Sequence, residues 1–144
     1  MFLGEYKHNI DYKGRVSVPK KFREELAKAE PVLTKGLDQC LFLYPKDSWQ
    51  VLADRVKLLP VTGSSARAFS RYIFGSAVEV EFDRLGRVQI PEYLRDYANL
   101  SKEVVLIGVG ERVEIWSIKH WDSYEQDLEK RGEEIAERLK ESGI

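Results

Sequence analysis

The sequence predicts an α+β fold with a mainly β core, built from two tandem copies of one unit. Three observations predict it. The segment Ile10-Asp11-Tyr12-Lys13-Gly14-Arg15-Val16-Ser17-Val18-Pro19 realigns on Phe82-Asp83-Arg84-Leu85-Gly86-Arg87-Val88-Gln89-Ile90-Pro91, an offset of 72 residues. The offset persists without a gap, pairing Arg23 with Arg95, Val32 with Val104, Gly36 with Gly108 and Trp49 with Trp121. Each copy also alternates short apolar stretches of period two with turn residues, then gives a proline followed by a helical stretch. The expected layout is a first unit at 1–60, a linker and short helix at 61–73, a second unit at 74–121 and a helical extension at 122–144.

In chain order, Leu3 to Ile10 reads as a strand, and Asp11-Tyr12-Lys13-Gly14 as a type I turn, with Asp at its first position and Gly at its fourth. Asp11 and Asp83 can accept from backbone N–H groups inside their turns, and Gly14 and Gly86 can take a positive φ. Val16 and Val18 share one face of the strand that follows. Pro19 and Pro91 end a strand and open the helices Lys20–Lys28 and Glu92–Asn99, which bury Phe22/Leu26 and Leu94/Ala98. Second hairpins follow: Val32–Thr34 to Leu41–Tyr44, and Val104–Ile107 to Val113–Trp116. A helix closes each copy, after Pro45 in the first and near Lys119 in the second. Residues 60–65 form the one convincing linker, and Ala66–Ile73 is a short helix leading into the second copy. Units of about 50–60 residues are marginal alone, so two copies are expected to share a core and cover each other's sheet edges. In the last helix Trp121, Tyr124, Leu128, Ile135 and Leu139 form an apolar stripe, which packs on its own domain or on another subunit.

Composition narrows the function. The 144 residues are 43% apolar and 33% charged, with one cysteine, so a disulfide framework and a zinc cage built on cysteines are excluded. With neither a long apolar run nor a basic leader before one, the chain is expected to be cytoplasmic, with no membrane partner. The net charge of −1 argues against indiscriminate coating of nucleic acid but is uneven. Residues 119–144 hold five Lys/Arg and eight Asp/Glu, while 54–72 carry Arg55, Lys57, Arg67 and Arg71 against Asp54 alone.

Catalysis finds little support. Neither His8 nor His120 has a histidine at the repeat-equivalent position, Cys40 has no visible base partner, and no phosphate-cradling glycine loop or metal-spaced pair occurs. No catalytic residue, metal, cofactor or small-molecule substrate is expected. The Asp-x-x-Gly-Arg turn is the better lead. It sets Arg15 and Arg87 just past two hairpin tips, with Lys13 and Arg84 in the turns. A guanidinium matches phosphate oxygens and the O6/N7 edge of guanine, and a two-stranded ribbon fits the major groove. The alternative is that Arg15 and Arg87 only pair with Asp11 and Asp83 to brace the turns. Spacing alone leaves both open.

With these residues in view, the sequence resembles the MraZ family of bacterial transcriptional regulators, built from two fused AbrB-like (SpoVT-AbrB) units. The resemblance runs from Met1-Phe2-Leu3-Gly4 to Trp121 and rests on Asp11-Tyr12-Lys13-Gly14-Arg15, Pro19-Lys20-Lys21-Phe22-Arg23, Cys40-Leu41-Phe42-Leu43-Tyr44-Pro45, Ala66-Arg67-Ala68-Phe69, Gly75-Ser76-Ala77 and Glu114-Ile115-Trp116. It implies a swapped-hairpin fold in which the two copies form one pseudo-twofold domain with flanking helices. It also implies a nucleoid-associated repressor of a division and cell-wall gene cluster, assembling as a homo-oligomeric ring on direct repeats upstream of its own operon. Arg15 and Arg87 carry over as DNA contacts, and Lys13 by its place in the first turn. Leu85 stands where the first turn has Lys13, with Arg84 beside it as a substitute charge. The competing readings are a cell-division scaffolding protein without specific DNA contact, an enzyme with a site between the copies, and an AbrB-like antitoxin or global regulator.

Overall fold

A computed structural model describes residues 1–28 and 30–144. The elements are β1 (Phe2–Asn9), β2 (Arg15–Ser17), α1 (Lys20–Leu26), β3 (Val32–Lys35), β4 (Leu41–Tyr44), α2 (Lys46–Lys57), α3 (Ser64–Ser76), β5 (Val78–Glu79), β6 (Arg87–Gln89), α4 (Glu92–Ala98), β7 (Glu103–Gly110), β8 (Val113–Ser117) and α5 (Ile118–Arg138), then a 3-10 turn over Lys140–Ser142. Among the described residues, no helix is long and apolar enough to cross a membrane.

The strands form a six-stranded antiparallel sheet in the order β1-β7-β8-β4-β3-β5 and a two-stranded ladder of β2 with β6. Each copy's first strand therefore lies on the other copy's third strand: β1 on β7, β5 on β3. Two pairings join equivalent strands. Val16 faces Val88 in the β2–β6 ladder, and Phe42 faces Glu114 between β4 and β8. The expectation that the copies cover each other's edges holds.

Alternation along the strands divides the core in two. On one face Leu33, Leu41, Leu43, Leu106, Val113 and Ile115 join Phe22, Leu26, Leu94, Ala98, Val16 and Val88 in a cluster drawn from both copies. On the other face Phe42, Tyr44, Val105, Ile107, Trp116 and Trp121 are buried, with Trp49, Tyr124 and Leu128 packed against them. Each Leu-sized side chain so enclosed contributes about 1.5–3 kcal/mol relative to exposure, and the two faces together hold the β core closed.

Two expectations need correction. The repeat is not gapless. Leu33 lies opposite Leu43 and Leu106 opposite Ile115. Leu43 and Ile115 stand 72 positions apart, but Leu33 and Leu106 stand 73. The structural partners of Val32 and Gly36 are thus Val105 and Val109, not Val104 and Gly108. The added residue falls between α4 and β7, where Asn99 caps α4 in the left-handed conformation at φ 54, whereas Ala27 caps α1 in the right-handed one. The shorter β7–β8 turn removes it again. A one-residue slip would turn every β7 side chain to the opposite face, so core packing fixes the register and the loops absorb the difference.

The second correction concerns the join between copies. α3 spans Ser64–Ser76, longer than Ala66–Ile73, so the linker ends at Gly63. The buried Thr34 hydroxyl donates to the Ile73 carbonyl at 2.7 Å and shares a 2.9 Å hydrogen bond with Ser76, locking the end of α3 onto β3. This leaves β5 two residues where β1 has eight. The apolar stripe of α5, expected on its own domain or on another subunit, divides in the structure. Trp121, Tyr124 and Leu128 pack on their own domain, but Leu139 is 42% exposed and Ile135 only half-buried.

Candidate nucleic-acid interface

Two turns of nearly identical geometry stand at the ends of the β2–β6 ladder. In the first, the Gly14 N–H donates to the Asp11 carbonyl at 2.9 Å and the Asp11 N–H to the Arg15 carbonyl at 3.0 Å. The Asp11 carboxylate accepts from the N–H groups of Lys13 at 3.0 Å and Arg15 at 2.9 Å, and its other oxygen accepts from Arg15 Nε at 2.7 Å. In the second, Asp83 accepts from the N–H groups of Leu85 and Arg87, each at 2.9 Å, and from Arg87 Nε at 2.8 Å. These bonds, the backbone N–H of Arg15 or Arg87 foremost, hold both carboxyls below the usual aspartate range.

The glycines are where the turns close. Gly14 and Gly86 sit at φ 80 and 75, the left-handed region that costs an L-residue about 1–2 kcal/mol. Both are buried, and the space a Cβ would take is filled from the other copy. The Arg95 guanidinium of α4 lies against Gly14, and the Arg23 guanidinium of α1 against Gly86. Arg23 Nε and Arg95 Nε are buried without a hydrogen-bond partner among the described residues. Each turn therefore rests on a cation supplied by its opposite unit. The repeat pairing of Arg23 with Arg95 was the sequence signal for this support, which a search for exposed charge passes over.

The structure brings the sequence-singled residues together. Arg15 and Gln89 are ladder partners, as are Ser17 and Arg87, and Gln89 Nε2 donates to the Lys13 carbonyl at 3.3 Å across the copies. Arg87 Nη1 also reaches Asp11 Oδ2 at 3.8 Å. Lys13 and Arg84 are exposed at the tips, beside Tyr12 and Leu85 at 86% and 71% exposure. The bracing contacts exist, but among the described residues their hydrogen bonds use only Nε of Arg15 and Arg87, and Arg87 Nη1 adds just the longer ion pair to Asp11. Among the described residues the terminal nitrogens of Arg15 make no hydrogen bond to the protein. The side chains of Arg15 and Arg87 keep 28% and 25% of their surface exposed. One guanidinium can thus be fixed by Asp and still present donors outward.

Elsewhere the chemistry is structural. Cys40 is buried, and burial pushes its thiol far up, which disfavours the thiolate a nucleophile needs. His120 stands edge-on to the Trp116 ring, with centroids 5.8 Å apart. Glu114 is buried but answered, accepting from Arg112 Nη2 at 2.7 Å and Trp116 Nε1 at 3.0 Å.

Residues 1–72 and 73–142 each match a family model described as MraZ protein and as antitoxin-like. The chain belongs to the MraZ family. A protein named transcriptional regulator MraZ from Alkaliphilus metalliredigens is 54% identical over 144 residues, all of both chains. Proteins of the same name from Alkaliphilus oremlandii and Clostridium tetani are 52% and 48% identical over the same full length. The two MraZ matches follow in tandem, and the β2–β6 ladder that carries both Asp-x-x-Gly-Arg turns takes one strand from each.

Proposed function

We propose that this chain is a sequence-specific DNA-binding transcriptional regulator whose paired hairpin tips enter the major groove. Arg15 and Arg87 are its base-edge or phosphate contacts, with Lys13 and Arg84 beside them. The observation that carries this reading is the divided guanidinium: Nε is tied to Asp11 or Asp83, which orients the fork before DNA arrives and lowers the ordering cost of binding. The regulatory role rests on the full-length relatives, which are named transcriptional regulators.

The finer reading follows the family resemblance. The two copies form a swapped-hairpin, AbrB-like unit with a pseudo-twofold axis through the Val16–Val88 pair. The chain represses the division and cell-wall gene cluster by binding direct repeats upstream of its own operon, in the cytoplasm at the nucleoid. It does so as a homo-oligomeric ring. With a net charge of −1, one subunit binds weakly, and affinity comes from several linked subunits engaging repeated sites at once. Binding falls steeply with salt.

The test is Arg15→Ala and Arg87→Ala, titrated by fluorescence anisotropy against a duplex selected from random DNA by the unmodified protein. Loss of binding with a nearly unchanged Tm is expected from Arg15→Ala. Full binding by both variants, or collapse of the fold, leaves the arginines as braces alone.

A further inference from the structure

The two tips share one turn, but the strands that lead into them differ in charge. Leading into the first turn, the segment Tyr6–Asp11 turns Lys7 and Asn9 outward, and the Ile10 N–H donates to the Lys102 carbonyl at 2.8 Å, which places Lys102 beside it. Glu103, opposite Asn9, is a carboxylate on this flank. Leading into the second turn, Val78–Asp83 presents Glu79 and Glu81 at the positions of Lys7 and Asn9. The Val80 N–H donates to the Pro31 carbonyl at 3.0 Å, with Glu30 adjacent. Glu30, Glu79, Glu81 and Asp83 line one groove of about 640 Å³ together with Arg15 and Arg87. Lys46 offsets Glu30 at 3.6 Å, but both side chains are more than half exposed.

The arginines differ as well. Arg15 has Asp11 at 2.7 Å, whereas Arg87 lies between Asp83 at 2.8 Å and Asp11 at 3.8 Å. At the tips each turn carries one cation, Lys13 beside Tyr12 in the first and Arg84 beside Leu85 in the second, so the difference in charge lies on the strands that lead in.

We propose that the two tips are unequal readers of DNA. Lys13 and Arg15 take most of the contact, while Glu30, Glu79 and Glu81 hold the phosphate backbone away from the second tip. The inference rests on the DNA-binding reading above. Duplex DNA carries one phosphate charge per about 1.7 Å of axis, and the Debye length at physiological salt is about 8 Å. Carboxylates on the strand leading into a tip therefore act on the backbone that tip would touch. Two equal tips related by a twofold would read a palindromic element, whereas unequal tips read a directional one.

The experiment titrates the full chain and its variants, at several salt concentrations, against the duplex selected from random DNA. Arg15→Ala is expected to raise Kd by about thirtyfold, within the roughly 5- to 150-fold range for losing a good base contact, and Arg87→Ala by at most about threefold, below that range. Glu79→Gln/Glu81→Gln is expected to tighten binding several-fold and, combined with Arg87→Ala, to make that arginine's loss exceed about tenfold. Glu81→Gln alone, at one exposed side chain, gives the same direction if the double variant is unstable. Equal losses from the two arginines, or no tightening by either glutamine variant, overturn the inequality and leave the DNA reading standing. Wild-type binding by both arginine variants overturns the DNA reading itself.

Discussion

Gly14→Ala tests whether the first tip is held as described. The substitution forces an L-residue to φ 80, at a cost of about 1–2 kcal/mol. It also sets a methyl 2.8 Å from Arg95 Nε and 2.9 Å from the Ile90 carbonyl oxygen. The arginine end can move, but the Ile90 backbone cannot do so freely, because its N–H donates to the Gly14 carbonyl at 2.8 Å. Crowding of this kind adds about 1–3 kcal/mol. A total near 3 kcal/mol corresponds to a Tm fall of roughly 6–12 °C for a chain of this size. Gly132→Ala is the control: the site lies within α5 with open space around it, so Ala gains up to about 1 kcal/mol of helix propensity. Thermal denaturation by circular dichroism at one protomer concentration reads both. A Gly14→Ala variant within about 2 °C of the parent would refute both the backbone requirement and the seating of the turn on Arg95.

Two further outcomes follow from other parts of the molecule. Asp11 and Asp83 have depressed folded pKa values, so their contribution is complete above the unfolded value of about 3.9 and is lost as pH falls through the folded values. The Tm gap between the parent and Asp11→Asn/Asp83→Asn is therefore expected to be widest near neutrality and to narrow below about pH 4; a gap constant down to pH 2 counts against the carboxylate bonds. Truncation before Glu133 removes Ile135 and Leu139 but keeps Trp121, Tyr124 and Leu128, so the fold should persist while sedimentation shifts to a smaller species. An unchanged sedimentation profile rules out an assembly role for that end.

Much of this was legible because local rules and global packing agree. The Asp-x-x-Gly spacing dictates a turn whatever surrounds it, and the continuous apolar run Leu41–Tyr44, with the nearly unbroken Val113–Trp116, marks strands buried on both faces. The 73-residue spacing of Leu33 and Leu106 was not legible. Identity at Val32/Val104 and Gly36/Gly108 favours the gapless alignment, and only pairing with β4 and β8 shows which side chain faces the core. Likewise α3 outruns its pattern because Thr34 and Ser76, 42 positions apart, meet in the fold. At the site, the turns and their arginines were readable. Their support by Arg23 and Arg95 was visible only as a repeat identity, since the contact itself crosses from one copy to the other.

Bracing and binding, opposed as alternatives at the level of sequence, are compatible in the structure because arginine is divisible. Its Nε and terminal nitrogens point in different directions from one rigid plane, so Asp11 can hold one edge while another faces outward. Lysine has one ammonium and must choose. In the proposed DNA contact the carboxylate would serve binding through bracing: it removes rotameric freedom from a long side chain before contact, an ordering cost otherwise charged to association. Duplication preserves both roles together, which is why Asp11/Arg15 and Asp83/Arg87 keep the same contacts although the residues between and beside them have diverged in charge. Divergence falls within the turns, where Tyr12 and Lys13 have Arg84 and Leu85 as counterparts, and beside them, where Lys7 and Asn9 have Glu79 and Glu81. A bracing pair held constant and residues in and around the turn free to vary are the conditions that the proposed unequal reading of DNA by two copies of one hairpin requires.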